Sequence, residues 1–214
     1  MLTVACVLKS GGTFTPEWVG RLRAGVKRHL PREHMFVCLS DVDVPSIRIP
    51  LEHDWPGWWS KMELFRLPGP ILYFDLDTAI VGSLSDIADY IAEAKAPFTM
   101  LRDFYAPSHR GSGVMAWPDG VVLRSLYHAF AADPEHLMGV HRARMGDQAF
   151  IEETFGAPVA CWQDHVGNDE IVSYKVHCRG GIPENARVIC LHGRPKFSDM
   201  PPIDPVRVAW ETAA

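Results

Sequence analysis

The stretch at residues 71–81, ILYFDLDTAIV, restricts the possible folds more than any other part of the chain. Four apolar residues of strand character run into two aspartates one residue apart, so a buried strand delivers Asp75 and Asp77 to an exposed edge. Alternate residues of an extended chain share a face. Both carboxylates can therefore converge on one hard divalent cation, which takes oxygen ligands and keeps substrate phosphates as co-ligands. A purely structural reading stands beside this one: Asp75 ends the strand, and Asp77 with Thr78 forms a turn.

A core large enough to bury such a strand fits 214 residues as a single domain, 1–214. With 47% apolar and 22% charged residues the chain is of ordinary globular type, which excludes disordered and fibrous classes. A net charge of −5 argues against a nucleic-acid surface, which carries a basic patch or stripe; Arg21, Arg23, Lys27 and Arg28 read as a solvated helix face. Five cysteines, odd in number, widely spread and without a C-x-x-C pair, imply a reduced, cytoplasmic setting. No apolar run approaches the length of a transmembrane segment, and residues 2–8 lack the features of a signal peptide.

Strands and helices alternate along the chain. Residues 3–8 read as a buried strand and lead through a polar loop to a helix with Thr15 as N-cap and Pro16 at its first position. Trp18, Leu22, Val26 and Leu30 recur every four residues and form the face that packs on a sheet. Residues 35–40 give a second strand, residues 41–55 an irregular segment, and residues 58–67 a helix before the aspartate strand. Further elements are expected as a helix over 84–94, a strand over 98–101, a long loop to a strand at 114–117, and a helix from Asp119 to about Ala131. Another helix opens at Gly146-Asp147-Gln148, and a last strand spans 187–191. The proline-rich tail, 197–214, reads as an extended arm. This order predicts an α/β three-layer sandwich with a mostly parallel, Rossmann-like central sheet, whose ligands lie beyond the carboxyl ends of the strands.

Five ordered pieces, namely the opening strand and polar loop, WWSKMELFRLPGPILYFDLDT, GSGVMAW, GDQAFI and CLHGRPK, resemble the GT-A fold nucleotide-sugar glycosyltransferases. The resemblance is greatest to glycosyltransferase family 8, which includes glycogenin and bacterial galactosyltransferases. It implies a retaining transferase that moves a hexose from a UDP-sugar, with Mn2+ (or Mg2+) as cofactor. The acceptor would be a glycan, a lipid-linked sugar or a small molecule. Asp75 and Asp77 correspond to the family's metal-binding carboxylates, with Leu76 between them, and Lys196 to its phosphate-binding lysine. Matching Gly193 and Lys196 puts Cys190 where the family carries a metal histidine. His192, two residues on and on the same strand face, is the third metal ligand expected, because imidazole suits an oxygen-rich manganese site better than a thiolate.

The same resemblance places Ser112 and Gly113 at the donor sugar, with Gly111 in place of an asparagine, and shifts polar contacts to Arg102 and Asp103. Asp147 and Gln148 match the pair beside the anomeric carbon, as catalytic residues; each also reads as part of a helix start. Lys61 corresponds to a basic residue that holds the donor, and Leu8, Lys9 and Thr13 to the base-binding loop. Trp58 and Trp59 are either core or a sugar-stacking wall. The competing readings are a haloacid-dehalogenase-type phosphatase, on the strength of FDLDTAIV, and a non-catalytic nucleotide-sugar or glycan-binding protein. A zinc site from His177, Cys178, Cys190 and His192 lacks paired short spacings.

Overall fold

The computed structural model describes residues 1–93, 96–121, 123–142, 145–155 and 159–212. Ala94, Val122 and residues 213–214, within the expected helices and arm, lie outside them. In chain order the elements are β1 (Leu2–Leu8), α1 (Pro16–His29), β2 (His34–Ser40), β3 (Ile47–Pro50), a 3-10 helix (Gly57–Arg66), β4 (Ile71–Phe74), β5 (Thr78–Ile80), α2 (Ser85–Ala92), β6 (Thr99–Arg102) and β7 (Arg110–Trp117). There follow α3 (Arg124–Ala132), α4 (Pro134–His141), α5 (Asp147–Phe155), β8 (Ala160–Cys161), α6 (Trp162–His165), β9 (Ile171–Ser173), α7 (Tyr174–His177), β10 (Val188–Cys190), a 3-10 turn (Phe197–Asp199) and α8 (Pro205–Glu211).

A seven-stranded sheet in the order β3-β2-β1-β4-β7-β6-β8 forms the middle layer, and a three-stranded sheet, β5-β10-β9, flanks it. The large sheet is mostly parallel, as the alternation of strands and helices predicts. Its exception is β7, antiparallel to both β4 and β6. Period-two alternation decides which layer each side chain joins. Leu72 and Phe74 of β4 and Val114 and Ala116 of β7 pack with α1, α2 and α8 on one side. Ile71 and Tyr73 of β4 and Met115 and Trp117 of β7 pack with the 3-10 helix, α3 and α5 on the other.

Four local expectations are corrected or extended. The strand expected before Asp75 is β4, and an unexpected second strand, β5 of the small sheet, follows at Thr78, so Asp75–Asp77 is the link between two sheets. The expected strand at 187–191 lies in the small sheet, where β10 pairs antiparallel with β5 and parallel with β9. Residues 57–66 wind as a 3-10 helix: seven consecutive residues from Trp59 to Phe65 are buried, so the segment packs on all sides rather than along one α-helical stripe. The tail is not wholly extended. Asp204 caps α8 through the N–H groups of Val206 and Arg207, and Trp210 stacks on Phe197 at 4.5 Å and meets Trp18 of α1 at 4.9 Å. No helix among the described residues is long and apolar enough to cross a membrane.

Candidate active site

The Asp75–Asp77 link is held from both sheets. Asp75 N donates to Gly113 O of β7 at 2.8 Å, and Leu191 N, just past β10, donates to Asp77 O at 2.9 Å. The two aspartates therefore sit where the sheets diverge, at the carboxyl end of β4, as expected for ligand binding in such folds. A cavity of about 650 Å³ opens over them, within the size range of small-molecule sites.

On one flank, Lys61 Nζ is 3.0 Å from Asp75 Oδ1, 3.0 Å from Asp147 Oδ2 and 3.0 Å from Ser112 Oγ. An ammonium has three N–H donors, so all of those on Lys61 are engaged. Burial alone would depress this buried lysine; the Asp147 and Asp75 charges outweigh it and hold the ammonium above its ordinary pKa. Ser112 in turn donates to Asp147 Oδ2 at 2.6 Å, and the Tyr73 hydroxyl donates to Asp75 Oδ1. This network ties the 3-10 helix, β4, β7 and the start of α5 into one unit. Gln148 follows Asp147 and lines the cavity, and its amide has no partner among the described residues.

On the other flank, Lys196 donates to Asp77 Oδ2. Burial and the neighbouring Asp75 charge push the Asp77 carboxyl up to about 6, against the pull of Lys196. Asp77 is thus a nearly enclosed carboxylate crowded by a second one. Lys196 is itself positioned by Asp199, whose Oδ2 accepts its backbone N–H at 2.9 Å. Gly193, at φ 70°, makes the turn that brings the lysine back.

The metal expectation divides. Asp75 and Asp77 offer carboxylate oxygens of the kind a hard dication takes, although each already gives one oxygen to a lysine, Lys61 and Lys196 respectively. His192 does not join them: its Nε2 is 2.6 Å from Ser173 Oγ and its ring stacks on Phe104 at 5.6 Å. Among the described residues no three His, Cys, Asp or Glu side chains group as a metal site requires. Burial first, then the charges of Lys175 and Lys196, lower His192 to about 4, so its imidazole is neutral at physiological pH. Cys190, paired with Thr78 in the ladder, is the residue beside the aspartates; burial pushes its thiol well up, and the Asp77 and Asp75 charges push it further.

Most of the expected site residues line the cavity: Lys9, Thr13, Lys61, Asp75, Leu76, Asp77, Asp103, Ser112, Gly113, Asp147, Gln148, His192, Gly193 and Lys196. Two do not. Leu8 points into the core, because strand alternation turns Val7 and Lys9 to the cavity instead. Arg102 turns away to Asp164, and its backbone N–H meets Gln163 Oε1 at 2.8 Å. Lys9 is neutralised by Asp41 and Asp54, at 2.5 and 2.7 Å. Burial opposes ionisation of Asp41, yet bonds from Lys9 and Ser10 hold it at about 2. Asp103 caps the backbone of Tyr105 and Ala106 at 2.8 Å each. Sequence reasoning missed Phe14, Tyr73, Phe104 and Tyr105 in the lining. Of these, Tyr73 had a usable signal, since it lies two residues before Asp75 and so shares its face.

No family model matches the sequence, and no curated protein matches it. Solved structures do match. The glycosyltransferase GlyE of Streptococcus pneumoniae TIGR4 superposes with a TM-score of 0.64 at 12% identity, over 99% of this chain and 59% of that one; this chain thus spans about three-fifths of its length. The galactosyltransferase LgtC, solved in complex with donor and acceptor sugar analogs, gives 0.61 at 11%, over 99% of this chain and 94% of that one. The bifunctional glycosyltransferase WbbM gives 0.57 at 10%, over 99% and 51%. These likenesses carry the fold: a mixed α/β sandwich with a mostly parallel seven-stranded sheet, of the type seen in GT-A glycosyltransferases.

Proposed function

We propose that the chain is a retaining glycosyltransferase of the family 8 type, moving a hexose from a UDP-sugar to a hydroxyl acceptor with the help of a divalent cation. The observation that carries this reading is the convergence, in one cavity of a GT-A fold, of the Asp75–Asp77 link, the Lys196 turn and the Asp147–Gln148 helix start. The haloacid-dehalogenase reading has no comparable support.

In the proposed reaction the acceptor oxygen bonds to the anomeric carbon as the glycosidic C–O bond to the diphosphate breaks. The electron pair leaves on the phosphate oxygen, which receives the acceptor's proton. Asp75 and Asp77 would hold the divalent cation, which when bound would supply electrostatic stabilisation to that diphosphate. Lys196 adds its ammonium beside Asp77 and stabilises the same developing charge. Asp147 has Oδ2 committed to Lys61 and Ser112, so it orients the helix start rather than acting as a free nucleophile. Gln148, whose amide has no partner among the described residues, contacts the sugar.

The direct test is release of UDP from UDP-glucose and UDP-galactose in the presence of Mn2+. A transferase leaks sugar to water slowly, and EDTA stops the leak. No UDP release from either donor, with or without metal, sinks the transferase reading in favour of a binding protein.

A further inference from the structure

Among all the Phe, Trp and Tyr side chains, only two are exposed: Trp58, at 54%, and Tyr105, at 63%. Both line the one cavity that holds Asp75 and Asp77. An aromatic left half open costs solvation, and two such residues confined to the rim of one cavity point to a ligand that covers them. Their neighbours assign them different ends of that cavity. Tyr105 packs edge-on against His192 at 5.2 Å, on the Lys196 flank. Trp58 lies against the start of α5, where a side chain on Gly146 would fall 2.8 Å from its Nε1. Gly146 immediately precedes Asp147 and Gln148.

We infer that Trp58 is the stacking platform of the acceptor subsite, and that the acceptor presents a hexopyranose ring to it. This rests on the proposed transferase reading. The neighbouring Trp59 is core, 4% exposed and stacked on Phe130 at 5.3 Å, so the tandem pair divides its work. A pyranose carries an apolar C–H face with hydroxyls around its edge. Laid on the indole, that face meets the electron-rich ring while the hydroxyls reach toward Gln148, where the anomeric carbon of the donor is proposed to lie. A lipid chain or an unfolded peptide would not require this pairing of one flat aromatic surface with polar groups at its border.

The test uses the full chain with UDP and Mn2+ present, and titrates methyl β-galactoside, methyl β-glucoside and lactose while following ligand NMR saturation transfer. At least one sugar gives a saturable signal with the unaltered protein. Trp58→Ala weakens it about tenfold or more, and Trp58→Phe restores most of it. UDP affinity, measured in the same samples, stays within about twofold. The inference is overturned if UDP binds but none of the three sugars does, if Trp58→Ala binds sugar as tightly as the unaltered protein, or if it weakens UDP as much as sugar. Failure of the unaltered protein to bind UDP marks a different fault, that of the transferase reading itself.

Discussion

Replacing Lys61 by methionine keeps the side chain's length and removes its charge from a site where only 6% of it reaches solvent. Two carboxylates, Asp75 and Asp147, then face each other across a methyl-thioether with no cation between them, and Ser112 loses one of its partners. Breaking one side of a buried ion pair costs about 3–5 kcal/mol, because the stranded charge stays desolvated. For a chain of this length each kcal/mol lowers the melting temperature by about 2–4 °C, so a fall of about 6–20 °C is expected. Adding Asp147→Asn removes one of the stranded charges and recovers about 1–3 kcal/mol, a coupling that urea unfolding of the two single variants and the double variant measures. The ammonium also fixes the sign of the alkaline response. Its pKa is raised on folding, so its contribution is complete below its unfolded value of 10.5 and is lost as pH rises above that. Lys61→Met should therefore converge on the unaltered protein in strong alkali. A loss under about 1 kcal/mol at pH 7.5, or no recovery in the double variant, refutes the role of Lys61 as the bolt of the site.

Asp77 has the same sign of pH dependence, but its window lies near neutrality. Its pKa rises from 3.8 unfolded to about 6 folded, so its contribution to stability is complete below pH 4 and lost as pH rises through 6. Asp77→Asn also removes the partner of Lys196, so the pH trend is the readout: its stability relative to the unaltered protein rises as pH goes from 4 to 7.5, and melting curves in which that difference is flat or falls contradict this. At the C-terminus, Trp210→Ala removes the ring that joins Phe197 to Trp18 and should cost about 3–5 kcal/mol. Urea denaturation showing a change under about 1 kcal/mol would mean that α8 is not part of the folded core.

Local chemistry made the outline of the fold legible. Trp18, Leu22 and Val26 are buried on α1 as their spacing requires, and the alternation through β4 and β7 partitions the core. The split of residues 71–81 was not legible, because period two continues across Asp75 and Asp77 whichever sheet the chain joins. β3 was hidden by Pro45 before it and Pro50 within it: it is a four-residue edge strand ending at Pro50, a position that tolerates a missing donor. The start of α8 carried a readable signal, Asp204 followed by Pro205, outweighed in the sequence reading by the prolines just before it. At the site, residue types identified most of the cavity lining. Directions came only from the strands, as Leu8 turning inward beside Val7 and Lys9 illustrates. The commitment of Arg102 to Asp164 depends on a contact 62 residues away, beyond any local pattern.

The most direct test of the central claim, that the Asp75–Asp77 cavity binds a nucleoside diphosphate together with a divalent cation, is calorimetric titration with UDP in the presence and absence of Mn2+. The account predicts micromolar binding that requires the metal and disappears in the Asp77→Asn variant, which remains folded. No binding under either condition, or equal binding with the metal removed, would leave the aspartates as a link between two sheets and nothing more.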